Sequence, residues 1–196
     1  AERLEAGNRA ALLLSGDAAS VKKGDTLAAP GSMVLTDRAD VHLALLADSP
    51  FSVRHGAQLR LHHGAAALTC RCVFFDRAEL LPGETCFAQL RLAAPMAPRM
   101  GDRFVVRSLS PAGPAGGGVL LDLSPRHKKK DPGLAERLSA LASPDPLRRM
   151  AAALELHAFP QTLEALAMAA GLSPAEGQAA LDALARTEKA VPLGEF

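Results

Sequence analysis

At 196 residues the chain has room for one large domain or two to three small ones, and a hydrophobic content of 48%, mostly Ala and Leu, is ample for their cores. A net charge of +1 excludes a protein drawn to nucleic acid by its overall field, and an aromatic content of 4%, with no Trp or Tyr, argues against base-stacking platforms. Any basic surface must therefore be local.

The chain opens on Ala1-Glu2-Arg3 without an initiator Met, as expected of a piece of a longer protein. No signal peptide is visible, and no apolar stretch approaches the ~20 residues that span a bilayer. A cytoplasmic protein without membrane attachment is expected. Arg9–Leu14 is predicted as a strand, followed by a loop and a second extended piece at Thr26–Ala29. From there to about residue 124 the periodicity is two. Leu59, Leu61 and His63 alternate with Arg60 and His62. Phe87, Gln89 and Arg91 alternate with Ala88, Leu90 and Leu92. Pro82-Gly83 and Met100-Gly101-Asp102 mark turns. Gly101–Ser108 carries Arg103 and Arg107 on one face, and the run Gly116-Gly117-Gly118 leads into a last strand ending near Asp122. Short strands at close spacing predict a sandwich or barrel.

Three cysteines fall in this half. Cys70 and Cys72 share a strand face. They lack the two-residue spacer and the fourth ligand of a zinc site, and an odd count is no disulfide framework. They are expected as buried, apolar-like residues, with no metal site.

After residue 124 the pattern changes. Ser124–Pro132 is a polar connector holding Arg126, Lys128, Lys129 and Lys130. Asp131 before Pro132 predicts a helix N-cap, with Leu134, Leu138 and Leu141 on one face. Asp145-Pro146 starts a second helix with Leu147, Met150 and Leu154 inward, and possible inward placement of Ala151. Thr162 caps a third that Gly171 ends. Ser173-Pro174-Ala175-Glu176 is a capping box opening a helix to about Arg186. A short strand is predicted at Ala190–Leu193. Helices, a tight helix–turn–helix and a strand in want of a hairpin partner describe a winged-helix unit.

The two-arginine strand Gly101–Ser108 and the glycine triplet after it resemble the third domain of selenocysteine-specific translation elongation factors, relatives of elongation factor Tu. The resemblance implies a fold that is mainly β and then α: a remnant of the domain-two barrel at 1–31, a complete translation-factor β-barrel at 33–124, and the first of several C-terminal winged-helix domains at 131–196. It further implies a monomeric factor that binds GTP and delivers selenocysteinyl-tRNA to the ribosome at UGA codons. Downstream domains would grip the mRNA hairpin. No Gly-x-x-x-x-Gly-Lys-Ser/Thr loop occurs here, so GTP and magnesium are expected only on a GTPase domain outside this stretch. No cofactor and no enzymatic activity are expected of the stretch itself.

By the same resemblance Gln58, His62, Arg107, Gly116, Gly117 and Gly118 match positions that face the tRNA T stem. Glycine amides approach phosphates closely, and Gln or Arg adds donors. The chain departs from the family pattern at Ala65, where relatives carry Thr, and at Pro114-Ala115, where an amide and a hydroxyl are lost. Arg103 and Arg107 have the alternative of pairing with Glu79, Glu84 or Asp122. The Arg126–Lys130 run reads as RNA contact or, preferably, as a solvated hinge. Gln178, Asp182 and Arg186 give the last helix a mixed outer face that suits packing better than nucleic acid. Two rivals remain from the residues: a winged-helix nucleic-acid-binding regulator using Arg186 and Lys189, and a β-barrel metalloenzyme using His62, His63 and the cysteines.

Overall fold

The structure, a computed structural model, describes residues 8, 11–16, 18–127, 131–157, 161–187 and 189–190. Among these, the strands come first: β1 (Thr36–Leu45), β2 (Val53–Arg54), β3 (Gln58–His63), β4 (Ala66–Phe74), β5 (Glu79–Leu80), β6 (Thr85–Met96), β7 (Arg103–Leu109) and β8 (Ala112–Asp122). Then come α1 (Leu134–Leu141), α2 (Pro146–Leu156), α3 (Leu163–Ala169) and α4 (Pro174–Arg186). The chain is thus a β-barrel followed by a helical domain, as the sequence predicts.

Six strands close an antiparallel barrel in the order β1-β6-β4-β3-β7-β8, with β8 returning to β1. β2 and β5 pair separately as a small ribbon. The period-two pattern sorts the walls. Leu59, Leu61, Ala88, Leu90, Phe104 and Val106 take the interior with Val41, Leu43, Cys70 and Cys72, and all are buried. Each fully buried Leu or Val stabilises this interior by about 1.5–3 kcal/mol.

The glycine triplet lies within β8 rather than ahead of it, flanked by β1 and β7. A Cβ on Gly118 would sit 1.9 Å from the His42 carbonyl oxygen, and one on Gly116 would sit 2.1 Å from that of Ala44. Closure of the wall at β8 therefore demands glycine.

The predicted strand at Arg9–Leu14 does not form over residues 11–14; Arg9 and Ala10 lie outside the described residues. Thr26–Ala29 is likewise without a ladder. A strand exists only with a partner, and the six barrel strands have both edges occupied by one another. Leu12, Leu13 and Leu27 consequently stay exposed.

In the helical domain Leu134, Leu138, Leu141, Met150, Leu166 and Ala167 form the core. Asp131 is not the N-cap of α1. Gly133, in the left-handed region at φ 81°, takes that place, and the Asp131 carboxylate turns to Arg137 at 2.7 Å. Leu147 points outward; its neighbours Ala152 and Ala153 are buried instead, because α2 is crossed by both α1 and α4. Asp145 and Thr162 cap α2 and α3 through the amides of Leu147 and Ala165. The Ser173–Glu176 capping box is complete. The predicted strand at Ala190–Leu193 lies outside the described residues beyond Ala190, as do Lys128, Lys129 and Lys130.

The helices pack on the outer wall of the barrel, where Leu121, Val119, Phe75 and Phe87 join their apolar core. Beside that seam is a buried polar cluster. The Asp40 carboxylate, with no exposure, accepts from Gln89 Nε2 at 3.1 Å and meets His127 Nε2 of the connector at 2.5 Å. Asp122, 3% exposed, accepts from the Ser124 amide at 2.8 Å and lies 3.9 Å from His157 Nε2, at the end of α2. Burial pushes the Asp122 carboxyl above its ordinary range, an effect opposed by the Ser124 amide and by His157.

Candidate nucleic-acid interface

Because Leu59 and Leu61 fill the interior, β3 must present Gln58, Arg60 and His62 on the outside. By the same alternation β7 presents Arg103, Val105 and Arg107. The register sets Arg60 directly opposite Arg107, and His62 opposite Val105. Across the other edge of β7, Val105 and Val106 face Gly117 and Gly116, and Phe104 faces Gly118. Gln58, His62, Arg107 and the glycines therefore occupy neighbouring positions on three adjacent strands, β3, β7 and β8.

Arg60 stands at the centre of this patch and is the residue that reading the sequence did not single out. Its signal was available, since Gln58, Arg60 and His62 share one strand face. What the sequence could not show is that Arg107 comes to lie beside it. Like charges directly opposite in a sheet are destabilising, by about the same 0.2–1 kcal/mol that favourable pairs contribute. Among the described residues the Arg60 side chain reaches only the Thr69 hydroxyl, at 3.4 Å. Arg103 and Arg107 form no ion pair among the described residues. The expected partners are engaged elsewhere: Glu79 with Arg54 and Ser52, Glu84 with Arg77, and Asp122 at the seam with the helices. A planar guanidinium pair without carboxylates is suited to bidentate hydrogen bonding with phosphate oxygens.

His63 does not share the patch. Its ring pairs with Asp102 at 2.8 Å, and the same carboxylate oxygen accepts from the Arg99 amide at 2.8 Å. Cys70, Cys72 and Cys86 are on the far side of the wall from His62, inside the barrel. Burial raises the Cys70 thiol to about 12 and the Cys86 thiol to about 11, and raises Cys72 as well. His62 outside, His63 held by Asp102 and inert thiols inside the barrel are not brought together, so the described residues do not assemble the metal site that the metalloenzyme reading needs. Among the described residues no group of three His, Cys, Asp or Glu side chains is placed to hold a metal ion.

The outer face of α4 is not basic. Gln178 donates to Asp182 at 2.7 Å, one turn away, leaving Arg186 as the exposed cation of that row. Arg126, the described member of the basic connector run besides His127, is exposed where the connector leaves the barrel.

The family model for the beta-barrel domain of the selenocysteine-specific elongation factor matches residues 36–127, which is the barrel and the connector as far as His127. A selenocysteine-specific elongation factor from Desulfomicrobium baculatum is 33% identical over 144 residues, covering 73% of this chain. The chain belongs to the selenocysteine-specific elongation factors. It spans 23% of the length of that relative. For a selenocysteine-specific elongation factor the alternating strands, the glycine-dependent closure of β8 and the seam carboxylate bound to His127 all fall inside the matched region. The aligned stretch with the relative is longer than the barrel match.

Proposed function

We propose that this chain is the part of a selenocysteine-specific elongation factor whose barrel seats the T stem of selenocysteinyl-tRNA. The observation that carries the reading is the Arg60–Arg107 cross-strand pair. It is exposed, has no carboxylate partner among the described residues, and is flanked by Gln58 and His62. In this reading Arg60 and Arg107 hold successive phosphates, and Gln58 and His62 add donors to the sugar–phosphate backbone. Gly117, opposite the exposed Val105, keeps the adjacent surface low enough for the stem to approach, while Gly116 and Gly118 stand opposite the interior Val106 and Phe104. Contacts of this kind position an RNA without reading its sequence. Discrimination for the selenocysteine tRNA, GTP hydrolysis and the hairpin contact would rest on other parts of the factor. The helical domain would carry the barrel's position outward to those parts, as a connector built like a winged helix, working in the cytoplasm as a monomer without a cofactor of its own.

The test is a titration of the chain with selenocysteine tRNA beside an ordinary elongator tRNA, at low and moderate salt. Binding that weakens with salt and drops on Gln58→Ala and Arg107→Ala is expected. Binding unchanged by both substitutions would remove the seat from this face.

A further inference from the structure

The arginines of the outer wall do not end with Arg60 and Arg107. Gln58 faces Arg71 across β3 and β4, Arg71 faces Arg91 across β4 and β6, and Arg91 faces Arg38 across β6 and β1. Directly opposed residues point to the same side of a sheet, and all three arginines are exposed. Two further like-charge pairs thus stand side by side. Neighbouring strands are about 5 Å apart, so the row extends over about 10 Å. Arg91 Nε donates to Gln89 Oε1 at 2.9 Å, which fixes its stem, and among the described residues the Arg38 side chain meets only the adjacent, exposed Asp37 at 3.1 Å. Arg71 makes no ion pair among the described residues. Past Arg38 the surface opens into a hollow shared by Arg38, Pro125 and Arg126, so the row meets the connector where its basic run begins.

From this juxtaposition we infer a second phosphate track, Arg71–Arg91–Arg38–Arg126, which binds the backbone of a double-helical RNA independently of sequence and continues into the connector. It goes beyond the tRNA seat on β3 and β7. An acidic protein is the other polyanion to weigh. Protein interfaces are built on an apolar centre. None of the exposed large hydrophobic side chains among the described residues lies on β1, β4 or β6, and Leu35 alone borders the row, in the lining of that hollow. A row of guanidiniums with a single apolar side chain at its end, and no apolar centre, suits a regular chain of phosphates. The connector is then an RNA-binding element at Arg126, which has a role besides solvation.

Each phosphate neutralised contributes about 0.7–0.9 to the slope of log K against log salt. The experiment measures that slope for the 196-residue chain with a labelled 16-base-pair RNA duplex of arbitrary sequence. It compares the unsubstituted chain, Arg38→Gln/Arg71→Gln/Arg91→Gln, and Arg60→Gln/Arg107→Gln. Melting followed by circular dichroism confirms that each variant folds. The triple variant is expected to lower the slope by about 2–3. An unchanged slope in the triple variant overturns the track, even if the double variant loses binding and the T-stem seat stands. Loss in the triple variant alone supports the track and counts against the seat. A polyglutamate peptide that competes as well as RNA at equal charge also overturns it. To separate sources, the titration is repeated with the chain saturated by tRNA. Duplex that still binds, and is lost in the triple variant, identifies a second RNA; duplex excluded by the tRNA identifies the track as part of the tRNA site.

Discussion

His127→Ala should loosen the joint between barrel and helices more than any substitution on the exposed arginine face. Asp40 is fully buried and its side chain has two partners among the described residues, His127 at 2.5 Å and Gln89 at 3.1 Å. The His127 side chain is itself only 6% exposed. Removing it leaves a carboxylate with one neutral donor, near the second buried carboxylate of Asp122. Breaking a buried pair on one side costs about 3–5 kcal/mol. The connector can admit water once the ring is gone, so the lower end applies, about 3 kcal/mol or roughly a hundredfold in the opening equilibrium. The ring also lies edge-on to Phe75 at 5.4 Å, which contributes about 0.5–1.5 kcal/mol that is not electrostatic. A double-mutant cycle with Asp40→Asn separates the two, since only the charge pairing couples. Urea unfolding followed by circular dichroism gives the global loss, and hydrogen exchange at the Ser124 amide gives local opening of the seam. A loss below about 1 kcal/mol, with no coupling to Asp40→Asn, would refute the argument that buried electrostatics hold the joint.

Gly118→Ala should abolish the closed barrel rather than weaken it, because the new Cβ would meet backbone at 1.9 Å and not a movable side chain. Gly64→Ala, at φ 52° in open space, should cost only about 1–2 kcal/mol, and comparing the two melting curves checks the distinction. The Asp122 carboxyl is raised by burial, so the folded state holds its proton more tightly than the unfolded one. Its contribution is therefore fully present below the ordinary carboxylate range and is lost as pH rises through the raised value. Asp122→Asn should remove this slope. Stability of the two proteins measured between pH 4 and pH 7 should diverge in favour of the variant as pH rises, and a constant difference would contradict the sign.

Local chemistry was legible in the sequence wherever one element decides it. Leu59 and Leu61 announced the inner face of β3, and Ser173 with Glu176 announced the start of α4. Asp131 misled because Gly133, two residues on, can adopt a left-handed turn and take the cap position, freeing the carboxylate for Arg137. Leu147 misled because α2 packs against α1, α3 and α4 and buries a stripe set by their crossing. The 11–14 segment misled because strand propensity has no meaning without a ladder. The arginine face was half legible. Strand alternation placed Arg60 with Gln58, but its meeting with Arg107, 47 positions away, and that of Arg71 with Arg91 are properties of barrel register. The Asp40–His127 pair, 87 residues apart, had no sequence signal at all.

The central claim is that the outer face of β3 and β7 lies against the T stem. A backbone-cleavage footprint of selenocysteine tRNA bound to this chain, with and without Arg60→Gln/Arg107→Gln, tests it most directly. The account predicts protection of T-stem phosphates that disappears in the double variant. Protection confined to other parts of the tRNA, or T-stem protection that survives the double substitution, would contradict it.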